Sequence, residues 1–169
     1  MANPYTAPRE AGVTSASVAT PDDLAAYEAD PTALEPKLPR TAAAASFFAA
    51  AMAMMAGWQT LDSVRLRGFY VVFPYLLLLL GGASFVCALA LFRARAWAAI
   101  GTGVATGLLA LVSSVWLLLA IAHGFFALYS LFTPPSALLS AILAVASINP
   151  VARASRLRRH FEAQGMRLR

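Results

Sequence analysis

The sequence of 169 residues contains little charge and a single cysteine. Only 12% of its residues are charged, against about 25% in typical soluble domains, and 60% are hydrophobic. Because Cys87 stands alone within an apolar run, the chain has no internal disulfide framework and no cysteine-based metal site. This composition, with a mean hydropathy of +0.68, indicates a membrane protein.

Charge is also missing from the centre of every long apolar run. A charged side chain there costs about 2.5–3.5 kcal/mol, and proteins that keep one usually use it to move protons or ions. We therefore expect no proton-coupled transporter, voltage sensor or intramembrane hydrolase. We also expect no enzyme, because no nucleophile–base pair, metal cluster or cofactor motif is visible. A pore lined by Ser, Thr and backbone atoms remains compatible with this sequence.

The apolar residues form four runs, at about 41–61, 69–92, 97–121 and 125–148. Each is long enough, at about 1.5 Å per residue, to cross a bilayer core of about 30 Å. The short reversal at His123-Gly124 predicts that the last two spans are antiparallel neighbours. The sequence thus predicts an all-α membrane protein, a four-transmembrane-helix bundle.

Prolines mark the ends and one break of these spans. Pro74 lies close enough to the start of the second span to be tolerated. Pro134 and Pro135 predict a kink in the fourth span, with Thr133 or Ser130 hydrogen-bonding a freed carbonyl. Asn149-Pro150 is expected to end that span.

Each span carries a stripe of small residues, and small side chains let helices approach closely in lipid. The third span includes a GxxxG pair, Gly103 and Gly107. The stripes serve either to pack the chain on itself or to dock another subunit, and we favour packing within the chain. The residues predicted to pack helices are Ala49, Ala53, Gly57, Ala99, Gly103, Gly107, Ser114, Ala137 and Ala144.

The two ends of the chain differ in charge. Residues 1–40 are acidic, rich in proline and expected to be mostly disordered. An exception is a short helix after Thr20, with Asp23 closing a capping-box-like pair. This helix is either transient or docked on a partner through Leu24 and Tyr27.

Residues 150–169 are basic and predict a short amphipathic helix on the membrane surface. The two tails have opposite charge, so they are expected to pair with each other or with a partner. The residues predicted to bind anionic lipid or a partner are Arg153, Arg156, Arg158 and Arg159.

The basic residues also predict the orientation of the chain. With four spans, both ends share a side, and that side holds 11 of the 13 Lys and Arg residues. The positive-inside rule then places both termini in the cytoplasm, in a bacterial-type inner membrane. Topology explains these charges better than nucleic-acid binding does.

Several further residues have a functional and a simpler interpretation. His123 is a pH sensor or a solvated turn residue, and we favour the turn. Asp62, Arg65 and Arg67 form either a partner-binding patch or ordinary interfacial polarity. Phe47, Phe48, Met52 and Met55 line either a lipid or quinone groove or, as we favour, a lipid-facing stripe.

Two functions fit these observations. The first is a non-catalytic membrane subunit that assembles with or stabilises a larger membrane protein complex. The second is a homo-oligomeric channel or carrier for a small neutral or lipid-like solute. Its pore would be lined by Thr102, Thr133, Ser136 and Ser140, with Pro134-Pro135 as its gate.

Overall fold

The computed structural model describes residues 19–30, 34–63, 68–93, 95–124 and 128–163, which form helices and no strand. The α-helices are α1 (Pro21–Ala29), α2 (Lys37–Ser63), α3 (Val72–Phe92), α4 (Ala96–Ala122), α5 (Leu128–Ala146) and α6 (Ile148–Ala163). A 3₁₀ turn, Gly68–Val71, precedes α3.

Four of these helices form the bundle. Helix α2 packs against α3 and α5, α4 packs against the same two helices, and α2 touches α4 across the centre. The helices are long and apolar enough to cross a membrane. Large apolar side chains such as Leu79, Leu111 and Leu118 are more than 60% exposed on the outside, as expected where lipid is the solvent. The predicted four-span, all-α membrane protein is confirmed.

The helix ends differ from the predicted span ends where proline is involved. Helix α2 begins at Lys37, four residues before the predicted start, with Pro39 in its first turn. Helix α5 ends at Ala146, and Asn149-Pro150 lie in the first turn of α6 instead of ending the span. Proline is tolerated in a first turn because the N–H groups there have no intrahelical acceptor.

Two clusters of buried residues hold the bundle together. One includes Phe73 and Trp116, whose rings stack with centroids 5.6 Å apart. The other lies where α1 and α6 join the bundle, at what we call the terminal end, and includes Leu91 and Val151. Most of the other members of both clusters are alanines of α2 and α4, whose small side chains let the helix backbones approach closely.

Parts of the predictions fall outside the described residues. These are the disorder of residues 1–18, the stop at Pro31, the loop with Arg65 and Arg67, residues 125–127 of the fourth span, and the final arginines at 167 and 169.

Candidate functional site

Most of the predicted helix-packing residues lie between helices of this chain. Fully buried members are Ala49, Ala53, Ala99, Ala137 and Ala144. Gly57 is the closest contact, since a Cβ built on it would lie 2.9 Å from the Pro74 carbonyl oxygen of α3. Gly103 faces α5, where its Cβ would lie 3.4 Å from Val145 Cγ2.

Gly107 and Ser114 are the exceptions. A Cβ on Gly107 would meet nothing within 4 Å, and Ser114 is exposed. At about 100° per residue, Gly107 lies roughly 140° around α4 from the fully buried Thr102, and Ser114 roughly 120°. These two residues are therefore not part of the packing within the chain.

Helix α4 instead buries a face that mixes hydroxyls with larger side chains. The buried residues on it include Thr102, Thr106, Leu109, Ser113 and Trp116. The sequence shows these residues at spacings of three and four, which is typical of one helix face. The prediction instead placed the buried face on the side that carries Gly103 and Gly107. In a helix that is apolar all round, hydropathy does not identify the buried side.

Gly107 and Ser114 line a groove on the membrane-facing side of the bundle. The α4–α5 groove has a volume of about 370 Å³ and is lined by Gly107, Ala110, Leu111, Ser114, Pro134, Pro135 and Leu138. Its lining is mostly apolar, and the small residues Gly107, Ala110 and Ser114 of α4 leave the space open. Two adjacent helices of this chain thus leave a space that neither of them fills.

The two prolines in the groove change the hydrogen bonding of α5, which runs through both of them from Leu128 to Ala146. The Leu131 carbonyl normally accepts from the N–H of residue 135, or of residue 134 in 3₁₀ geometry, and both are prolines. Thr133 Oγ1 donates to the Tyr129 carbonyl and Ser136 Oγ to the Phe132 carbonyl. Neither hydroxyl therefore donates to the Leu131 carbonyl. The predicted kink stays a prediction.

Three of the four hydroxyls proposed for a pore are packed between helices, and the fourth, Ser136, is half-buried. Thr102, Thr133 and Ser140 are 0% exposed, so none borders a passage wide enough for water. Ser46 Oγ donates to the Ala42 carbonyl, and Ser140 Oγ lies 2.5 Å from Ser46 Oγ. This hydrogen bond joins α5 to α2 within the apolar interior.

We expect the Ser46–Ser140 hydrogen bond to contribute modestly to stability. Replacing either serine by alanine lowers the free energy of unfolding by about 0.6 kcal/mol, the mean for such bonds in membranes. A double-mutant cycle in detergent measures the coupling between the two positions. Additive effects of Ser46→Ala and Ser140→Ala would show that the hydroxyls do not interact.

At the terminal end, α1 docks on α6 in a contact that we call the terminal clasp. Helix α1 begins with a capping box: the Asp23 N–H donates to Thr20 Oγ1 at 3.3 Å, and the Thr20 N–H donates to Asp23 Oδ2 at 3.1 Å. The Tyr27 ring lies 5.0 Å from the Phe161 ring, centroid to centroid. The partner of the short acidic helix is thus the basic helix of the same chain.

The clasp is centred on Asp23, whose side chain is only 2% exposed. Arg156 donates to both carboxylate oxygens, at 2.8 and 3.1 Å, and Arg153 Nε donates to Oδ1 at 3.2 Å. The hydrogen bonds from Arg156 hold the pKa of Asp23 well below its usual range, against the opposing effect of burial. The carboxylate is therefore charged throughout the physiological pH range.

The other two predicted arginines of α6 have different surroundings. Arg158 Nη2 donates to the Leu34 carbonyl oxygen at 2.9 Å, so it ties the segment before α2 to α6. Arg159 is exposed. Of the four arginines predicted to bind lipid or a partner, two pair with Asp23 and one binds backbone of this chain.

The remaining candidates lie at the surface or are partly buried. The His123 ring donates from Nδ1 to the Leu119 carbonyl at 2.9 Å, and its Nε2 lies 3.3 Å from the Tyr70 hydroxyl. Phe48 and Met55 are exposed, whereas Phe47 and Met52 are half-buried. Cys87 is half-buried, near the Cβ position of Gly101.

The described ranges contain no group of three His, Cys, Asp or Glu placed to hold a metal ion. Comparisons with protein-family models, curated proteins and solved structures gave no match.

Proposed function

We propose that this chain is a non-catalytic membrane subunit that receives a transmembrane helix of another membrane protein in the α4–α5 groove. The observation that carries the proposal is the space beside Gly107, which both bordering helices leave unfilled. A second helix gains van der Waals contact there that lipid chains, which are mobile, provide less well.

The chemistry of the groove indicates what kind of helix fits. The Leu131 carbonyl has two prolines at the positions from which an N–H would normally reach it. In a helix this oxygen points along the axis toward residues 134 and 135, which line the groove. A partner helix with a Ser, Thr, Asn or Gln side chain at this depth supplies the donor that α5 lacks.

The distribution of basic residues supports the proposed orientation. Basic residues of the described segments, including Lys37, Arg40, Arg93 and Arg95, lie at the terminal end together with the arginines of α6. Under the positive-inside rule this end faces the cytoplasm, in a membrane of the bacterial inner-membrane type.

A substitution that fills the groove tests the proposal. We expect Gly107→Leu to reduce capture of the partner by about tenfold, which corresponds to ~1.4 kcal/mol of lost packing. Capture is measured by photo-crosslinking from position 138 in native membranes, followed by intact-mass analysis of the product. The matched control is Gly82→Leu on α3, where an added Cβ also meets nothing within 4 Å.

Three results would contradict the proposal. One is a crosslinked product that persists equally in Gly107→Leu and Gly82→Leu. Another is a product with the mass of two copies of this chain, which would identify the groove as a self-association surface. The third is recovery of this chain alone, without any crosslinked protein.

A further inference from the structure

A second cavity lies at the terminal end, where three arginines from distant parts of the chain meet. It has a volume of about 180 Å³ and is lined by Glu35, Pro36, Pro39, Arg40, Leu91, Phe92, Arg93 and Arg158. Arg40 lies in the first turn of α2, Arg93 caps α3, and Arg158 lies on α6. A water molecule occupies about 30 Å³ in the liquid, so the cavity has room for a group several times larger.

The charges in this cavity favour an anion. Three arginines and one carboxylate, Glu35, line it, and Glu35 accepts from Arg40 Nη2 at 2.9 Å. One nitrogen of Arg158 is held by the Leu34 carbonyl, which fixes the position of that guanidinium while leaving its other N–H groups to donate. Positive charges that line one cavity repel one another, and an anion bound among them offsets this repulsion.

The shape and chemistry of the donors select a phosphate group. Guanidinium groups form paired, charge-assisted hydrogen bonds with phosphate oxygens, and several arginines around one space suit a group with several oxygens. A carboxylate has two oxygens, so it offers fewer acceptors than a phosphate to arginines on three different elements.

The position of the cavity indicates where the phosphate comes from. Phe92, one of its walls, is the last residue of the membrane-spanning α3 and is 59% exposed on the lipid-facing surface. Leu91 beside it is fully buried in the bundle. A headgroup in this cavity therefore leaves its acyl chains next to Phe92, along the outside of α3.

We infer that this cavity binds the phosphate of an anionic phospholipid from the leaflet at the terminal end. This site does not depend on the α4–α5 groove or on the proposed helix partner. It differs from a general attraction of basic tails to the membrane because it requires particular arginines from α2, the α3 cap and α6.

Native mass spectrometry of the full chain in mild detergent tests the inference, with phosphatidylglycerol, phosphatidylcholine and inorganic phosphate titrated separately. We expect phosphatidylglycerol to bind saturably, and Arg93→Gln to weaken it about tenfold. The matched control is Arg95→Gln. Arg95 is two residues from Arg93, and its exposed side chain does not line the cavity, so this variant removes the same charge outside the site. It should leave the affinity unchanged.

A second variant is expected to increase binding. Glu35→Gln removes the one carboxylate among the lining residues and releases Arg40, so phosphatidylglycerol should bind several-fold more tightly. The Glu35–Arg40 pair is more than half exposed at both partners, so its loss should not destabilise the fold. Misfolding would lower the affinity for the lipid, so a gain in affinity must come from the change at Glu35.

Three outcomes would overturn the inference. Equal weakening by Arg93→Gln and Arg95→Gln would show that only bulk charge matters. No effect of Glu35→Gln and Arg93→Gln would show that the lipid binds elsewhere. Binding of inorganic phosphate without binding of phosphatidylglycerol would rule out a lipid as the source.

Discussion

Replacing Gly57 by alanine is expected to destabilise the bundle more than the same change at Gly82. The added Cβ on Gly57 would lie 2.9 Å from the Pro74 carbonyl oxygen and 3.0 Å from Leu78 Cγ, so α2 and α3 must separate. Overpacking of this kind costs about 1–3 kcal/mol. The free energy of unfolding, measured by denaturant titration in detergent, should fall by this amount relative to Gly82→Ala.

The comparison with Gly82 isolates the steric effect. Both changes replace a helical glycine by alanine, and this replacement by itself stabilises the helix by up to about 1 kcal/mol. An added Cβ on Gly82 meets nothing within 4 Å, so Gly82→Ala should be neutral or stabilising. If the two variants had equal stability, the close approach of α2 and α3 at Gly57 would be wrong.

Replacing Asp23 by asparagine is expected to release α1 from α6. Asparagine keeps an oxygen that can accept from the Thr20 N–H, so the cap of α1 survives while the charge that holds Arg153 and Arg156 is lost. Charge-assisted hydrogen bonds contribute about 1.5–3 kcal/mol each, and a helix of nine residues is not stable alone in water. Hydrogen exchange in residues 21–29 should accelerate by about tenfold or more.

The neighbouring acid provides the control. Asp22 also lies in the first turn of α1, but it is exposed, so Asp22→Asn removes the same charge without breaking the clasp. Its exchange rates should stay near those of the unmodified protein. Equal acceleration in both variants would indicate that net charge, rather than the paired carboxylate, holds α1.

Docking of α1 should depend on pH only in acid. The pKa of Asp23 is lowered in the folded chain, mainly by the hydrogen bonds from Arg156. Its contribution to docking is therefore complete above the ordinary carboxyl pKa of about 3.9, and it is lost as the pH falls through the lower, folded value. Hydrogen exchange of α1 should reveal this loss below about pH 4 and none between pH 5 and 8. Asp23→Asn should remove the acid dependence, and a transition near neutral pH would contradict this account.

The sequence by itself determined the features that depend on neighbouring residues. Uncharged runs of sufficient length predicted the four spans, because a segment in lipid must satisfy its backbone as a helix. Thr20, Pro21 and Asp23 predicted the start of α1, because a capping box requires only residues three apart. Complementary charges on the two tails predicted that they could pair.

Only the tertiary structure decided how these elements meet. The rotation of α4 put Thr102 inside and Gly107 outside, which hydropathy does not reveal in a helix that is apolar all round. Asp23 and Arg156 are 133 residues apart, and their pairing depends on where α6 turns away from α5. The arginine-lined cavity likewise brings together α2, α3 and α6. Such contacts arise from the rotation and tilt of whole helices, which local sequence does not specify.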